Sequence, residues 1–251
     1  MENGSLYTSI QDGIASIEFY HPASNSFPSN LLERLSKAFN ELSNNEKVQV
    51  IILKSEREKA FCAGASFNEL TAISNETQGT AFFMGFANVI NAMRNCSKLI
   101  IGRIQGKAVG GGVGLAAACD YCFATEAASI KLSELTIGIG PFVIAPAVER
   151  KMGIAAFSEL AMDATHWQNA YWAQKKGLYT HVYENIKEMD RELQLFSEKI
   201  VAYNPAALTE LKAVLWEGTA HWETLLKERA VISGKLVLSD FTKQALQKFK
   251  K

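Results

Sequence analysis

Three consecutive glycines, Gly110, Gly111 and Gly112, stand between a strand-like segment and a helix-like segment in the stretch GKAVGGGVGLAAACD. Glycines at the start of a helix expose backbone N–H groups that have no partner within the helix, with the positive end of the helix dipole behind them. Such groups stabilise a carbonyl oxygen that gains negative charge, as in an enolate. The glycine run therefore predicts one donor of an oxyanion hole.

A second loop of small residues, FCAGAS at residues 61–66, also leads from a strand-like segment into a helix-like one. By itself, CAGA is typical of a tight turn that packs against its neighbours. Beside the glycine run it suggests a function, because two loops that each open a helix can direct two N–H groups at one oxygen. We therefore expect these two loops to meet in the folded chain.

The same glycines permit a second interpretation, a dinucleotide site. Gly112, Gly114 and Ala117 match the spacing G-x-G-x-x-A, and Glu134 follows about 20 residues later, where an acid would contact a ribose. Against this, more than a hundred residues precede the match, whereas this fingerprint usually opens its domain. No G-x-x-x-x-G-K-[ST] phosphate loop is present either. A nucleotide-dependent oxidoreductase therefore ranks last among the hypotheses.

Alternating strand and helix patterns must position these loops. Residues 6–10 and 14–19 flank Asp12-Gly13, a two-residue turn signal, and predict a β-hairpin. A helix capped by Ser29 or Asn30 follows. Further on, VQVIILKS is predicted as a strand, KAFCAGAS as a loop and KLIIGRIQGKAV as a single strand. Because the C-terminal third is mostly helical, the pattern indicates an α/β core with a helical C-terminal region.

Composition argues against several classes of function. Lys plus Arg and Asp plus Glu both number 26, so the formal net charge is zero, which argues against charge-driven binding to nucleic acid or to an anionic membrane. No stretch offers the ~20 uninterrupted apolar residues of a membrane-spanning helix, and the N-terminus lacks a secretory pattern. The four cysteines are too sparse for a disulfide scaffold. We therefore expect a cytoplasmic protein that uses no metal.

At three points the sequence resembles the enoyl-CoA hydratase/isomerase (crotonase) superfamily. AFCAGASFNEL is similar to the family's F-x-A-G-A-D-x-x-x-[LM], and IQGKAVGGGVGLAAACDYCFAT is similar to N-G-x-A-x-G-G-G-x-E-L-x-x-x-C-D-x-x-x-A. KLSELTIGIGP is similar to F-x-x-P-E-x-x-x-G-x-x-P. Several motifs in the family's order, spread over nearly the whole chain, are far more specific than any one of them.

The resemblance implies a spiral of ββα turns over residues 1–190, followed by a helical region at residues 191–251, in a homotrimer or hexamer. It implies an acyl-CoA thioester as substrate, with no cofactor beyond the CoA moiety of that substrate. By position, Ala65 and Gly111 would donate N–H groups to the thioester oxygen. The CoA site would be lined by Ala63, Ser66, Phe67, Asn68 and Gly110. The end KQALQKFKK resembles the family's lysine-bearing tail, which can approach CoA phosphates, and fits a solvated basic end equally well.

One position departs from the pattern of the family's hydratases in an informative way. Those hydratases use two glutamates, and the first belongs in G-G-G-x-E, where this chain has Gly114. The second is present as Glu134. Moving a double bond from the 3,4 to the 2,3 position requires one base, whereas addition of water normally uses two groups. The pattern therefore favours a 3-enoyl-CoA to 2-enoyl-CoA isomerase with Glu134 as its catalytic base.

Two alternatives keep the same family. The first is an enoyl-CoA hydratase that uses one glutamate, including one for branched substrates such as methylglutaconyl-CoA. The second is a non-catalytic acyl-CoA-binding subunit, because Gly114 can also mark lost activity. The length and branching of the acyl chain stay open, since Ser66 replaces the usual aspartate and Pro141 stands away from the family's usual proline position.

Overall fold

Two β-sheets, of six and three strands, carry the loops of interest in this computed structural model, which describes residues 4–248. The strands are β1 (Ser5–Gln11), β2 (Ile14–Tyr20), β3 (Val50–Ser55), β4 (Ala60–Cys62), β5 (Leu99–Ile104), β6 (Lys107–Val109), β7 (Tyr121–Thr125), β8 (Ile130–Lys131) and β9 (His181–Tyr183). The helices are α1 (Ser29–Ser43), α2 (Phe67–Ala72), α3 (Glu76–Asn95), α4 (Gly111–Ala118), α5 (Ala145–Met152), α6 (Ile154–Met162), α7 (Ala170–Lys175), α8 (Ile186–Val201), α9 (Pro205–Leu215), α10 (Trp222–Leu236) and α11 (Asp240–Lys248). A short 3₁₀ helix occupies Glu134–Ile137.

The chain visits the two sheets in alternation. The large sheet has the order β1-β2-β3-β5-β7-β9 and the small sheet has the order β4-β6-β8. β1 and β2 form an antiparallel hairpin, and every other neighbouring pair is parallel. The pairs β3 and β4, β5 and β6, and β7 and β8 each add one strand to each sheet, helices follow every pair, and β9 then joins the large sheet. The predicted α/β spiral of ββα units is therefore confirmed, and so is the predicted hairpin.

Two predicted elements of this region were wrong. KLIIGRIQGKAV is not one strand but β5 and β6, which lie in different sheets. The break falls at Gln105, whose buried side-chain amide donates to Ser55 Oγ and to the Arg57 carbonyl, both at 2.8 Å. KAFCAGAS, predicted as a loop, contains β4. Both errors arise because the second sheet is built from strands of two or three residues, too short to show a period.

The predicted cap of α1 was also wrong. The cap residue is Pro28, which makes no side-chain hydrogen bond there. The orphaned N–H of Ser29 donates instead to the Glu69 carboxylate, at 2.9 Å to Oε2. Glu69 belongs to α2, 40 residues further along the chain. The start of α1 is therefore stabilised by a tertiary contact that also fixes the helix after the CAGA loop.

Apolar residues cover both faces of the central strands. Five of the six residues of β3 are buried, as expected for a parallel strand that is covered on both sides. Phe19 of β2 packs against Phe27 and Phe61, with ring centroids 4.7 and 5.5 Å apart. α4 lies in this core, and all of its residues after Gly111 are buried. The glycine run therefore opens a helix that is held rigidly from every side.

Helices α8 to α11 complete the chain. α10 packs along α3, and α11 contacts the 3₁₀ helix that begins at Glu134. The boundary drawn at residue 190 falls inside α8, so the division into residues 1–190 and 191–251 stays a prediction. No helix within residues 4–248 combines the length and the apolar character needed to cross a membrane.

Candidate active site

The glycine run forms the turn between β6 and α4. Gly110 has a φ of 53°, in the left-handed region that favours glycine, and its N–H donates to the Lys131 carbonyl at 3.0 Å. Gly111 is the first residue of α4, so its N–H has no acceptor within the helix. It has none elsewhere among residues 4–248. The structure thus presents one free backbone donor at the N-terminus of a buried helix.

The CAGA loop presents a second free donor. Phe27 pairs with Ala65 in a parallel bridge, in which Phe27 N donates to the Gly64 carbonyl and Ser66 N donates to the Phe27 carbonyl. In such a bridge the flanking residues make the hydrogen bonds, and the N–H of the central residue points away from the partner chain. Within the part of the chain that the structure describes, Ala65 N has no acceptor.

The two loops lie against each other, as expected from the sequence. A Cβ atom built on Gly64 would lie 3.6 Å from Gly111 N and 3.0 Å from the Val109 carbonyl oxygen. Ala65 and Gly111 both border one cavity. The arrangement therefore brings two unpaired N–H groups to one space, which is what an oxyanion hole requires.

The other predicted CoA-site residues have different surroundings. Ala63 and Phe67 border the same cavity, and so does Gly110. Ser66 caps α2, because its Oγ accepts from Glu69 N at 3.4 Å. Asn68 is exposed on α2 and does not border the cavity. Ser66 therefore has a structural role in the loop, and the CoA contacts of all five residues stay predictions.

The cavity has a volume of about 180 Å³ and is mainly apolar. Its walls come from α2, α3, the loop after the 3₁₀ helix, and α10. The large apolar side chains around it are Leu70, Phe82, Phe83, Phe86, Ile137, Ile139, Phe142, Val143 and Ile144. Within residues 4–248, Glu134 is the one ionisable side chain that borders it. Such a lining suits an apolar chain and isolates a single carboxylate from water.

Glu134 opens the 3₁₀ helix and places its carboxylate beside the glycine run. A Cβ atom on Gly110 would lie 2.7 Å from Glu134 Oε1, so a side chain there would displace the carboxylate from its present position. Oε2 is buried and has no hydrogen-bond partner among the described residues. Burial raises the pKa of Glu134 from 4.5 to about 7, although its own backbone N–H partly offsets the shift. A carboxyl group with this pKa exchanges protons readily near neutral pH.

Gly114, the position where the family's hydratases carry their first glutamate, is closed to any side chain. It is buried in α4, and a Cβ atom on it would overlap the Ile144 side chain. Ile144 is 4% exposed and forms part of the cavity wall. The space of a second acid is therefore filled by an apolar residue.

Sequence reasoning named none of the large apolar residues in the list above, and two of the residues it missed, Ile144 and Ser233, matter for the chemistry of the cavity. Ile144 lies in FVIAPAVERKMG, a segment predicted only as a helix. Ser233 belongs to α10, which was covered only by the general expectation of a helical C-terminal third. No local pattern marks either residue, because their proximity to Glu134 depends on how α5 and α10 pack. The end residues 249–251, which carry part of the predicted basic tail, lie outside the described residues.

Strands that alternate between two sheets, with paired small-residue loops and a buried carboxylate at one cavity, define a crotonase-type α/β spiral. The chain belongs to the enoyl-CoA hydratase/isomerase family, whose model matches residues 9–250. An enoyl-CoA hydratase from Bacillus halodurans superposes with a TM-score of 0.90 over 97% of this chain and 99% of that one, at 20% identity. That likeness supports the fold.

Curated relatives of known name fall into more than one activity. The rat mitochondrial methylglutaconyl-CoA hydratase is 33% identical over 198 residues, 77% of this chain and 62% of the relative. A peroxisomal Delta(3,5)-Delta(2,4)-dienoyl-CoA isomerase from Arabidopsis thaliana is 31% identical over 194 residues, 71% of this chain and 68% of the relative. The chain thus spans about six-tenths of the length of the mammalian hydratases it matches.

Proposed function

We propose that this enzyme converts 3-enoyl-CoA thioesters to 2-enoyl-CoA thioesters. The Glu134 carboxylate takes a proton from C2, and the electron pair moves into the thioester carbonyl to give a dienolate. Ala65 N–H and Gly111 N–H donate to the oxygen that gains the charge. Glu134 then returns its proton to C4, which leaves the double bond between C2 and C3. No atom is gained or lost, so one carboxyl group completes the cycle.

The observation that carries this proposal is the single ionisable group at the cavity. Glu134 stands alone there among the described residues, with an unpartnered Oε2 and a pKa of about 7. Ile144 occupies the space beside Gly114 from which a second acid would act. Shuttling a proton between two carbons needs no ordered water, so a site with one carboxylate meets its requirements.

The remaining parts of the proposal concern binding and assembly. Ala63, Phe67 and Gly110 border the cavity and are proposed to contact the pantetheine end of CoA, with Ser66 and Asn68 on the adjoining helix. The CoA moiety of the substrate is proposed to be the only cofactor. A homotrimer or hexamer is also proposed, and light scattering of the purified protein measures that state directly.

A second candidate is hydration of a branched 2-enoyl-CoA, favoured by the likeness to methylglutaconyl-CoA hydratases. It receives less support, because addition of water normally uses two acid/base groups. Methylglutaconyl-CoA also carries a free carboxylate, and no Lys, Arg or His of residues 4–248 borders the cavity to pair with it. Burying such a charge without a partner is strongly unfavourable.

The test offers purified protein a 3-enoyl-CoA and a 2-enoyl-CoA in separate reactions and follows the absorbance of the conjugated thioester. We expect absorbance to appear with the first substrate and to persist with the second. Efficient loss of absorbance with the second substrate would instead establish the hydratase. Tight binding of both esters without turnover would leave only the binding-subunit alternative.

A further inference from the structure

The wall that α10 contributes to the cavity carries one polar side chain, Ser233. This residue is 1% exposed and borders the cavity. Its Oγ is buried and has no hydrogen-bond partner among residues 4–248. A buried hydroxyl without a partner costs free energy, because it has given up its hydrogen bonds to water. The residue therefore places an unpaired polar group in a lining that is mainly apolar.

A comparison with a second buried helical serine shows that the missing bond is specific to this site. Ser197 of α8 is fully buried, and its Oγ donates to the Leu193 carbonyl at 2.8 Å. This is the usual bond of a helical serine to the carbonyl four residues earlier. The equivalent carbonyl for Ser233 is that of Arg229, and the hydroxyl makes no bond to it. Being in a helix therefore does not by itself explain why the Ser233 hydroxyl lacks a hydrogen bond.

The packing of α10 on α3 fixes Ser233 in place. The neighbouring Gly234 faces Gly79 so closely that a Cβ atom on Gly79 would lie 2.6 Å from the Gly234 carbonyl oxygen. Phe82 and Phe83 follow on α3 and border the same cavity. Because two backbones meet at this crossing, α10 cannot turn to carry the Ser233 hydroxyl elsewhere. The backbone of Ser233 is thus fixed beside the cavity, with a hydroxyl that has no partner among the described residues.

We infer that Ser233 selects acyl chains that carry a neutral oxygen, as a hydroxyl or a carbonyl group, at the part of the chain that reaches α10. The inference rests on the proposed function, since it assigns the substrate class of the same cavity. The oxygen is neutral because no cationic side chain among the described residues borders the cavity. No hydrogen-bonded base among the described residues activates the hydroxyl, so Ser233 is assigned to specificity and not to proton transfer.

The experiment measures binding and does not depend on turnover. Saturated acyl-CoA esters that differ only by a hydroxyl group at successive carbons are titrated into the protein by calorimetry. We expect one hydroxylated ester to bind roughly tenfold more tightly than the plain ester of the same length. Ser233→Ala removes that preference, so that the plain and hydroxylated esters of one length bind the variant with equal affinity. Ser197→Ala, the matched control, keeps the preference.

Two results would overturn the inference in distinguishable ways. Equal affinity for plain and hydroxylated esters in the unmodified protein, or a preference that survives in Ser233→Ala, rejects the role of Ser233 and leaves the isomerase proposal intact. Absence of binding to every acyl-CoA ester rejects both proposals together. A thermal melt accompanies each variant, and we expect Ser233→Ala to be at least as stable as the unmodified protein, because it removes a buried hydroxyl that has no partner among the described residues.

Discussion

Two buried carboxylates of this chain, Asp120 and Glu134, differ in how their oxygens are satisfied. Asp120 Oδ2 accepts from Lys212 Nζ at 2.8 Å and from Ile100 N at 2.7 Å. Its Oδ1 accepts from Trp216 Nε1 at 2.7 Å and from Lys212 Nζ at 3.0 Å. Glu134, in contrast, leaves Oε2 without a partner among the described residues. Both oxygens of Asp120 are thus paired, whereas one oxygen of Glu134 makes no hydrogen bond to the described residues.

The difference shows how burial produces opposite outcomes. Asp120 and Lys212 expose only 4% and 2% of their side chains, and together they join the turn after α4 to α9. The hydrogen bonds of Asp120 to Lys212, Ile100 N and Trp216 give this carboxylate a structural role. The cavity around Glu134 supplies desolvation without a countercharge, which makes the carboxylate a stronger base than an exposed one. The two buried carboxylates therefore differ in their hydrogen-bond and charge partners, and burial alone does not determine their properties.

The largest expected effect comes from Glu134→Gln, which keeps the size of the side chain and removes the proposed base. We expect the isomerisation kcat/KM to fall by about 10²–10⁴, the usual contribution of a general base. The fold should persist, because no hydrogen bond of Oε2 is lost. Steady-state kinetics and circular dichroism measure both. Full activity in this variant would show that another group moves the proton.

Removing the partner of Lys212 tests the other side of the comparison. Asp120→Asn leaves a buried ammonium group without its counterion, and we expect a loss of about 3–5 kcal/mol in the free energy of unfolding. Urea denaturation at neutral pH measures the change. Folded Asp120→Asn protein should turn over substrate far better than Glu134→Gln does, since Asp120 does not border the cavity.

A surface ion pair supplies the control for that measurement. Glu41 lies 3.7 Å from Lys37 on α1, with side chains 64% and 76% exposed. Glu41→Gln should cost less than about 0.5 kcal/mol, as exposed helical pairs do. A loss at Asp120 as small as that at Glu41 would mean that the buried network does not stabilise the fold.

Glu134 and Asp120 also show which features the sequence could predict. The motifs around Gly111 and Ala65 are local, so their residue types predicted that these two loops meet, and the family resemblance predicted that Glu134 lies at the same site. The opposite wall depends on tertiary packing. Ser233 has the sequence context of any helical serine, and its burial follows only from the crossing of α10 over α3 at Gly234.

The division of the strands was unpredictable for a similar reason. Only Gln105 and Gly106 separate β5 from β6 in the sequence, so the two strands look like one. The chain passes from the large sheet to the small sheet at Gln105, whose side-chain amide donates to Ser55 Oγ and to the Arg57 carbonyl. The cap at Ser29 likewise comes from Glu69, far along the chain. Periodicity carries no record of such long-range partners.

The raised pKa of Glu134 also predicts how the free energy of unfolding depends on pH. The pKa of Glu134 is about 7 in the folded protein and 4.5 in an exposed chain, so between these values the unfolded state loses a proton that the folded state keeps. Stability therefore falls as pH rises through this window, by on the order of 3 kcal/mol in total. Glu134→Gln lacks this loss. We therefore expect the free energy of unfolding of Glu134→Gln, relative to that of the unmodified protein, to be higher at pH 8 than at pH 4, which denaturation at the two pH values measures.

Activity should follow the same titration in the opposite direction. In the proposed reaction Glu134 acts as a base only when it is ionised, so we expect kcat/KM to rise with pH and level off above the pKa of about 7. Below that value we expect about a tenfold fall for each pH unit. The residual activity of Glu134→Gln should show no such step. A step near pH 4.5 would indicate that substrate or solvent reaches the carboxylate far more than its burial suggests.

Trp216→Phe removes one of several partners from Asp120 and tests the buried network with a smaller change than Asp120→Asn. Phenylalanine keeps a ring near Trp222 and Arg150, so the loss is mainly the indole N–H bond to Oδ1. We expect a loss of about 1 kcal/mol, because Lys212 and Ile100 N still bind the carboxylate. Urea denaturation of Trp216→Phe beside Asp120→Asn measures the ratio. Equal losses would mean that the indole, and not the ammonium group, is the partner that holds Asp120.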